Sequence, residues 1–97
     1  MGGSASDLVF DWDDENTSHL ARHRIDRAEV EELLSNDPAI KGYDLVGDEA
    51  RWTAVGVTRS LRVLVVIFTV RDEKLRAITG WDADKRTKRE YFTQRGT

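Results

Sequence analysis

The alternation of apolar and polar positions divides this 97-residue chain into short helical and extended segments. The apolar run over residues 8–12 predicts a short first strand. Asp13 follows it as a suitable N-cap for a first helix, with Asp14 and Glu15 in the first turn, where the helix dipole favours negative charge. We expect this helix to run to about His23.

The second helix has a clearer start. Asp26 with Glu29 three residues later has the spacing of a capping box. Apolar residues then recur at helical intervals, at Ala28, Val30, Leu33 and Leu34. The segment Asn36-Asp37-Pro38 predicts the end of this helix.

Four strands are predicted after Pro38, over residues 39–46, 51–58, 61–70 and 75–81. The third strand is β-branched and almost entirely apolar, which predicts a central strand covered on both faces. Short connections between successive strands favour an antiparallel meander. Asp82 is then expected to cap a last helix that runs to about Thr93.

The predicted order is therefore β-α-α-β-β-β-β-α, an α+β fold whose mainly antiparallel sheet is packed by helices. The length predicts one domain, which we assign to residues 8–93, with a flexible N-terminal arm over 1–7 and a C-terminal tail over 94–97. We identify no signal peptide, and the longest apolar stretch, 63–68, is too short to span a membrane. We therefore expect a cytoplasmic protein without a membrane partner.

The residue types present restrict the chemistry. Cysteine is absent, which excludes disulfides and thiolate metal sites. His19 and His23 lie four residues apart and can share a helix face, but they lack the intervening acidic residue of the zinc proteases. We therefore predict no metal and no cofactor. We interpret His19 as a packing or surface residue.

Charge is divided unevenly along the chain. Residues 1–49 carry 13 acidic and 4 basic side chains, whereas residues 50–97 carry 5 acidic and 11 basic ones, so the two halves have net charges of −9 and +6. Such a division is typical of a protein with a basic surface for an anionic partner. It is equally compatible with two halves that attract each other across the fold.

Seven short motifs follow one another along residues 8–92. They are Phe10–Asp13, Arg22-His23, Asp37-Pro38, Arg51–Gly56, Val65–Arg71, Arg76–Thr79 and Lys88–Tyr91. In their residues, order and spacing they resemble the BrnT family of ribonuclease toxins from bacterial type II toxin–antitoxin pairs. The resemblance implies a fold related to that of the RelE-type toxins.

The resemblance also implies a function. A protein of this kind would cleave RNA without a metal, inhibit growth and be neutralised by a BrnA-like antitoxin protein encoded nearby. A homodimer and a toxin–antitoxin hetero-oligomer are both compatible with it. The family has an Arg and a Glu where this chain has Trp81 and Thr87. The alternative is therefore a BrnT-fold module with weakened or lost catalysis that binds a protein partner or RNA.

Metal-free RNA cleavage needs a base, an acid and cations that stabilise the phosphate. Arg51 and Arg76 are our candidates for the phosphate, because a planar guanidinium binds two oxygens and their predicted strands flank the central strand. His23 is the candidate base or acid, and Tyr91 is a candidate proton donor or stacking residue. The structural alternatives are solvated arginines, a His23 that caps the first helix, and a Tyr91 packed in the core.

The last helix carries a dense basic run, composed of Lys85, Arg86, Lys88 and Arg89. Such a run is typical of a surface that binds an RNA backbone or an acidic antitoxin, although a solvated helix face has the same composition. Trp81, at the junction between the last strand and this helix, is a candidate to stack on a base. Its structural alternative is to cover the end of the core.

Overall fold

A computed structural model describes residues 8–95, so the predicted arm over 1–7 and the end of the predicted tail, residues 96–97, lie outside the described residues. The helices and strands are α1 (Asp14–Ala21), α2 (Arg27–Ser35), β1 (Ala39–Val46), β2 (Glu49–Val57), β3 (Val63–Arg71), β4 (Lys74–Asp82) and α3 (Lys85–Arg95). The sheet has the order β1-β2-β3-β4 with antiparallel neighbours throughout. The predicted α+β class and antiparallel meander are confirmed.

The strand predicted over residues 8–12 is reduced to a single bridge. Phe10 pairs in parallel with Leu75, and the Leu75 N–H donates to the Val9 carbonyl while the Asp11 N–H donates to the Leu75 carbonyl, each at 2.8 Å. The chain leaves β4 after this contact because Asp13 caps α1. The N-terminal segment is therefore fastened to β4 without extending the sheet.

The capping residues at the starts of α1 and α2 act as predicted. In α1 the Asp13 carboxylate accepts the Asn16 N–H at 3.0 Å, and Asn16 Oδ1 accepts the Asp13 N–H at 2.9 Å. Asp26 and Glu29 make the same reciprocal pair at α2, at 2.9 and 3.1 Å. Each pair satisfies two backbone donors that a helix start leaves open.

The end of α1 differs from the prediction. The helix ends at Ala21, because the Ile25 N–H donates to the Leu20 carbonyl at 3.0 Å and Arg24 takes a φ of +59°. This is the Schellman arrangement, in which the residue with positive φ reverses the chain. His23 consequently lies in the turn after the helix.

The last helix is capped by a different aspartate from the predicted Asp82. Asp84 caps α3, since its carboxylate accepts the Thr87 N–H at 2.8 Å and its carbonyl accepts the Lys88 N–H at 2.9 Å. That N–H of Thr87 also lowers the pKa of Asp84. Asp82 remains the last residue of β4, and α3 continues to Arg95, beyond the predicted end near Thr93.

Strand β3 is central and covered on both faces, as predicted. Leu64, Val66 and Phe68 belong to the core formed with α1 and α2. Val63 and Val65 face the other way, into a smaller core that includes Ala83 and Tyr91. Among the described residues, no helix combines the length and apolar character that crossing a membrane requires.

We expect Gly56→Ala to lower the free energy of unfolding by about 1–2 kcal/mol, because α2 lies against the backbone of β2 at this glycine. A Cβ at position 56 would lie 2.6 Å from Leu33 Cγ, and Leu33 is fully buried. Urea denaturation measures the change. Gly42→Ala is the control, since its Cβ would meet Thr53 at an ordinary 3.5 Å. Equal losses in both variants would contradict the explanation.

Candidate active site

Arg51 and Arg76 project from the same face of the sheet. Thr69 pairs with Arg76, and paired residues of antiparallel strands point to one face. Thr53 pairs with Ile67, and alternation along β2 and β3 then places Arg51 on the same face as Ile67 and Thr69. This face is opposite the one that α1 and α2 cover.

A cavity of about 170 Å³ lies where these side chains meet. Elements α1, β2, β3 and β4 all contribute to it, and its lining consists of Glu15, Asn16, His19, Glu49, Arg51, Arg71, Arg76, Ala77 and Ile78. A histidine, two carboxylates and three guanidinium groups thus share one partly open cavity. These groups include each type that metal-free phosphodiester cleavage uses.

Glu49 holds two of the arginines side by side. Its Oε1 accepts Arg51 Nε at 3.0 Å, and its Oε2 accepts an Arg71 terminal nitrogen at 2.6 Å. The hydrogen bond from Arg71, followed by that from Arg51, lowers the pKa of Glu49. Both guanidinium groups keep further N–H donors with which they can bind a phosphate. Arg71 is not among the site residues predicted from sequence, because it follows the predicted third strand, over 61–70, and falls in the connection to the next strand.

Arg76 is the most buried of the three arginines, with 12% of its side chain exposed. Its guanidinium lies 2.7 Å from the carboxylate of Asp13, 3.6 Å from that of Asp11 and 3.8 Å from that of Glu15. The Asn16 N–H, and then Arg76, lower the pKa of Asp13. Arg76 therefore joins the N-terminal segment to β4, and nearby carboxylates balance its charge.

His19 lines the cavity, whereas His23 does not. His19 is half-buried, and its Nδ1 lies 3.3 Å from the Ile78 carbonyl oxygen. Because a carbonyl can only accept, Nδ1 carries the hydrogen and Nε2 is the nitrogen left to exchange a proton. His23 is exposed in the turn after α1. The spacing of Glu15 and His19, one helical turn apart on α1, is the sequence signal that indicates His19.

The other predicted site residues lie away from the cavity. Tyr91 is buried in the smaller core with Val55, Val63 and Val65, which is the packing alternative. Trp81 pairs with Val65 near the end of β4 and is 38% exposed. The basic residues of α3 are all exposed: Lys85, Arg86, Lys88 and Arg89.

Attraction between the acidic and basic halves is visible at Arg62. Its guanidinium lies 3.1 Å from the Glu29 carboxylate of the acidic half and donates to the carbonyls of His23 and Arg24 at 2.9 and 2.7 Å. Within the basic half it also lies 2.8 Å from the Asp82 carboxylate. The ion pair with Arg62 lowers the pKa of Asp82 and raises that of Arg62. Part of the charge division therefore holds the fold together, while α3 still presents a basic surface.

We expect the melting temperature to fall as the pH is lowered from about 5 to about 2. Glu49, Asp13 and Asp82 have folded-state pKa values below their ordinary ones. Their stabilisation is complete above the unfolded value, about 4, and is lost as the pH falls through the lower folded value. Thermal unfolding followed by circular dichroism measures this dependence. In the Asp82→Asn variant, we expect the melting temperature to depend less steeply on pH. An unchanged pH dependence in this variant would show that the Arg62–Asp82 pair does not contribute to it.

A family model described as "Ribonuclease toxin, BrnT, of type II toxin-antitoxin system" matches residues 12–87. The matched region includes the whole sheet and every residue that lines the cavity, and it ends in the first turn of α3. No curated protein matches the chain.

Proposed function

The chain belongs to the BrnT family of ribonuclease toxins of type II toxin–antitoxin systems, and we propose that it cleaves RNA without a metal and thereby inhibits bacterial growth. The family implies an antitoxin protein as partner, which we propose to be BrnA-like and encoded nearby. The observation that carries the proposed activity is the cavity in which His19 meets Arg51, Arg71 and Arg76.

We assign the proton transfers to Glu15 and His19, which both line the cavity from α1. Glu15 takes the proton of the RNA 2′-hydroxyl, and the 2′-oxygen attacks the adjacent phosphorus. The bond from phosphorus to the 5′-oxygen breaks, and His19, which carries protons on both ring nitrogens for this step, gives its Nε2 proton to that oxygen while Nδ1–H stays on the Ile78 carbonyl. The products are a 2′,3′-cyclic phosphate and a 5′-hydroxyl, and side chains supply every proton transfer.

Arg51 and Arg71 are the cations that we assign to the phosphate. Glu49 fixes both guanidinium groups next to the cavity, and a fixed cation costs little reorganisation when negative charge develops on the phosphate oxygens. Arg76, with its three carboxylate neighbours, orients Glu15 and closes one side of the cavity. This division differs from the assignment made from sequence, which placed Arg76 directly on the phosphate.

The basic face of α3 is the surface that we propose for the rest of the RNA. Tyr91 of α3 packs with Val63 and Val65, which by alternation lie on the same sheet face as Thr69 and Arg71. An RNA strand that leaves the cavity along this face reaches Lys85, Arg86, Lys88 and Arg89. Trp81 is exposed beside this path and can stack on a base.

Induced expression in a bacterial host tests the proposed function, with growth and total RNA integrity followed together. We expect growth arrest with loss of RNA, and the purified protein should cleave RNA equally well in the presence of EDTA. An Arg51→Ala/Arg71→Ala double variant should relieve the arrest. Arg59→Ala is the control, because Arg59 is an exposed arginine outside the cavity. Normal growth with intact RNA and soluble, folded wild-type protein would contradict the proposal.

Trp81 and Thr87 favour a second candidate function, a binding module with weakened or lost catalysis. They stand where the family has an Arg and a Glu, and neither lines the cavity. This candidate predicts a harmless wild-type protein and RNA cleavage by the Trp81→Arg/Thr87→Glu variant. If the wild-type protein instead cleaves RNA as fast as the Trp81→Arg/Thr87→Glu variant, the cavity does not need those two groups.

A further inference from the structure

The sheet extends beyond the helices that cover it and ends in exposed apolar side chains. Tyr43 and Leu45 on β1 are 61% and 59% exposed, and Val70 on β3 is 48% exposed. Tyr43 pairs with Trp52, which pairs with Phe68. Since Phe68 belongs to the core under α1 and α2, alternation places Leu45 and Val70 on this same face.

A cleft of about 500 Å³ lies beside these residues, where β2 and β3 separate. The last paired residues on this side are Trp52 and Phe68, and beyond them the Thr69 hydroxyl donates to the Ala50 carbonyl at 2.6 Å. Apolar and charged residues share the lining, which consists of Val46, Asp48, Glu49, Ala50, Thr69, Val70 and Arg71. We name Tyr43, Leu45, Val46 and Val70 the open-end patch. Its first, second and fourth residues share the face of α1 and α2, whereas Val46 pairs with Glu49 and by alternation lies on the opposite face.

The open-end patch adjoins the proposed active site. Glu49 and Arg71 line both the cleft and the catalytic cavity. A molecule bound in the cleft therefore contacts the Glu49 carboxylate, which positions Arg51. It also contacts Arg71, one of the two arginines assigned to the phosphate. In addition, β1 is an edge strand within residues 8–95, so its outer side can accept a further strand.

Charge around the patch favours a protein over RNA as its occupant. The two hairpin turns at this end carry exposed carboxylates at Asp48, Asp72 and Glu73, and Asp44 is exposed on β1. Lys74 and Arg71 are the basic residues beside them, and Arg71 is already paired with Glu49. An acidic rim repels a phosphate backbone, whereas it complements the lysines and arginines of a partner that buries apolar side chains at its centre.

We propose that the antitoxin docks on the open-end patch through a segment that combines apolar side chains with lysine or arginine. The identity of this partner rests on the proposed function. Docking there blocks cleavage by closing the Glu49 and Arg71 side of the cavity, and it leaves the basic face of α3 uncovered.

Affinity for the protein encoded by the reading frame adjoining this gene tests the proposal. Leu45→Lys and Val70→Lys, made separately, should each weaken binding at least about 30-fold in calorimetric titration. Leu61→Lys is the matched control, because Leu61 is 78% exposed in the β2–β3 connection at the opposite end of the sheet. Unfolding curves establish that all three variants are folded. Because the two patch positions lie on different strands, the test can still be made if one of these variants does not fold.

Each outcome decides the proposal. Weaker binding by both patch variants, with normal binding by the Leu61→Lys control, supports it. This result does not depend on whether the wild-type protein cleaves RNA, because the cleavage assay tests the catalytic proposal separately. Unchanged binding by the folded patch variants overturns it. It is also overturned if only an Arg86→Glu/Arg89→Glu variant of α3 loses binding while both patch variants keep it. A dimer of the isolated protein that Leu45→Lys dissociates would show that the patch instead binds a second copy.

Discussion

Replacing His19 with alanine is expected to slow RNA cleavage by about 10²–10⁴-fold, the usual contribution of a positioned acid or base. His19 lines the cavity together with Glu15 and the arginines, and the Ile78 carbonyl fixes its Nδ1. The variant loses the group that protonates the leaving oxygen. Its fold should persist, because the side chain is only half-buried and makes one hydrogen bond of 3.3 Å.

Cleavage of a labelled RNA by the purified variant measures this effect, and relief of growth arrest gives a second readout. His23→Ala is the matched control and should cleave at nearly the wild-type rate, because His23 is exposed and lies outside the cavity. The reverse result, an inactive His23→Ala beside an active His19→Ala, would reinstate the assignment made from sequence.

Replacing Arg62 with methionine is expected to lower the free energy of unfolding by about 3 kcal/mol. One guanidinium serves the carboxylates of Glu29 and Asp82 and the carbonyls of His23 and Arg24. Methionine keeps the apolar stem but leaves these acceptors without their donor. The Asp82 pair contributes the smaller share, since that side chain is 60% exposed while Glu29 is 20% exposed.

Urea denaturation measures the loss, with Arg59→Met as the control at a neighbouring exposed arginine. The destabilisation of Arg62→Met should shrink as the pH falls through the lowered pKa of Asp82, because protonated Asp82 no longer pairs with Arg62. A loss of less than about 0.5 kcal/mol, the range of ordinary surface substitutions, would show that Arg62 is only a surface residue.

Local signals in the sequence were sufficient for most of the fold. The capping boxes at Asp13 and Asp26 act over three residues, and the continuous apolar run of β3 requires cover on two faces wherever it lies. Short connections leave successive strands little choice but to pair as antiparallel neighbours. The same meander brings Arg51 and Arg76 to one face, so the arginine side of the candidate site was also predictable.

Where the first helix ends, and hence where His23 lies, depended on contacts with residues outside that helix pattern. The pattern alone allowed α1 to continue to His23. In the structure, Ile25 is buried in the core beside Leu20, and its N–H closes the helix on the Leu20 carbonyl. Burial of that side chain fixes the position of the turn. His23 shares a neighbouring cleft with His19, but the turn leaves it outside the cavity that holds the three arginines.

The sequence by itself determined the three helices and the four-stranded meander in their order, because caps, periodicity and short connections act between near neighbours. It did not determine that residues 8–12 form a single bridge to β4 instead of a strand. Only the tertiary structure decided which charged groups pair with one another. Arg76 meets the carboxylates of Asp11 and Asp13, and Glu49 joins Arg51 to Arg71. The first of these contacts joins residues more than 60 positions apart. Whether an arginine is available to a phosphate depends on which carboxylates the fold places beside it, and Coulomb interactions act through space rather than along the chain.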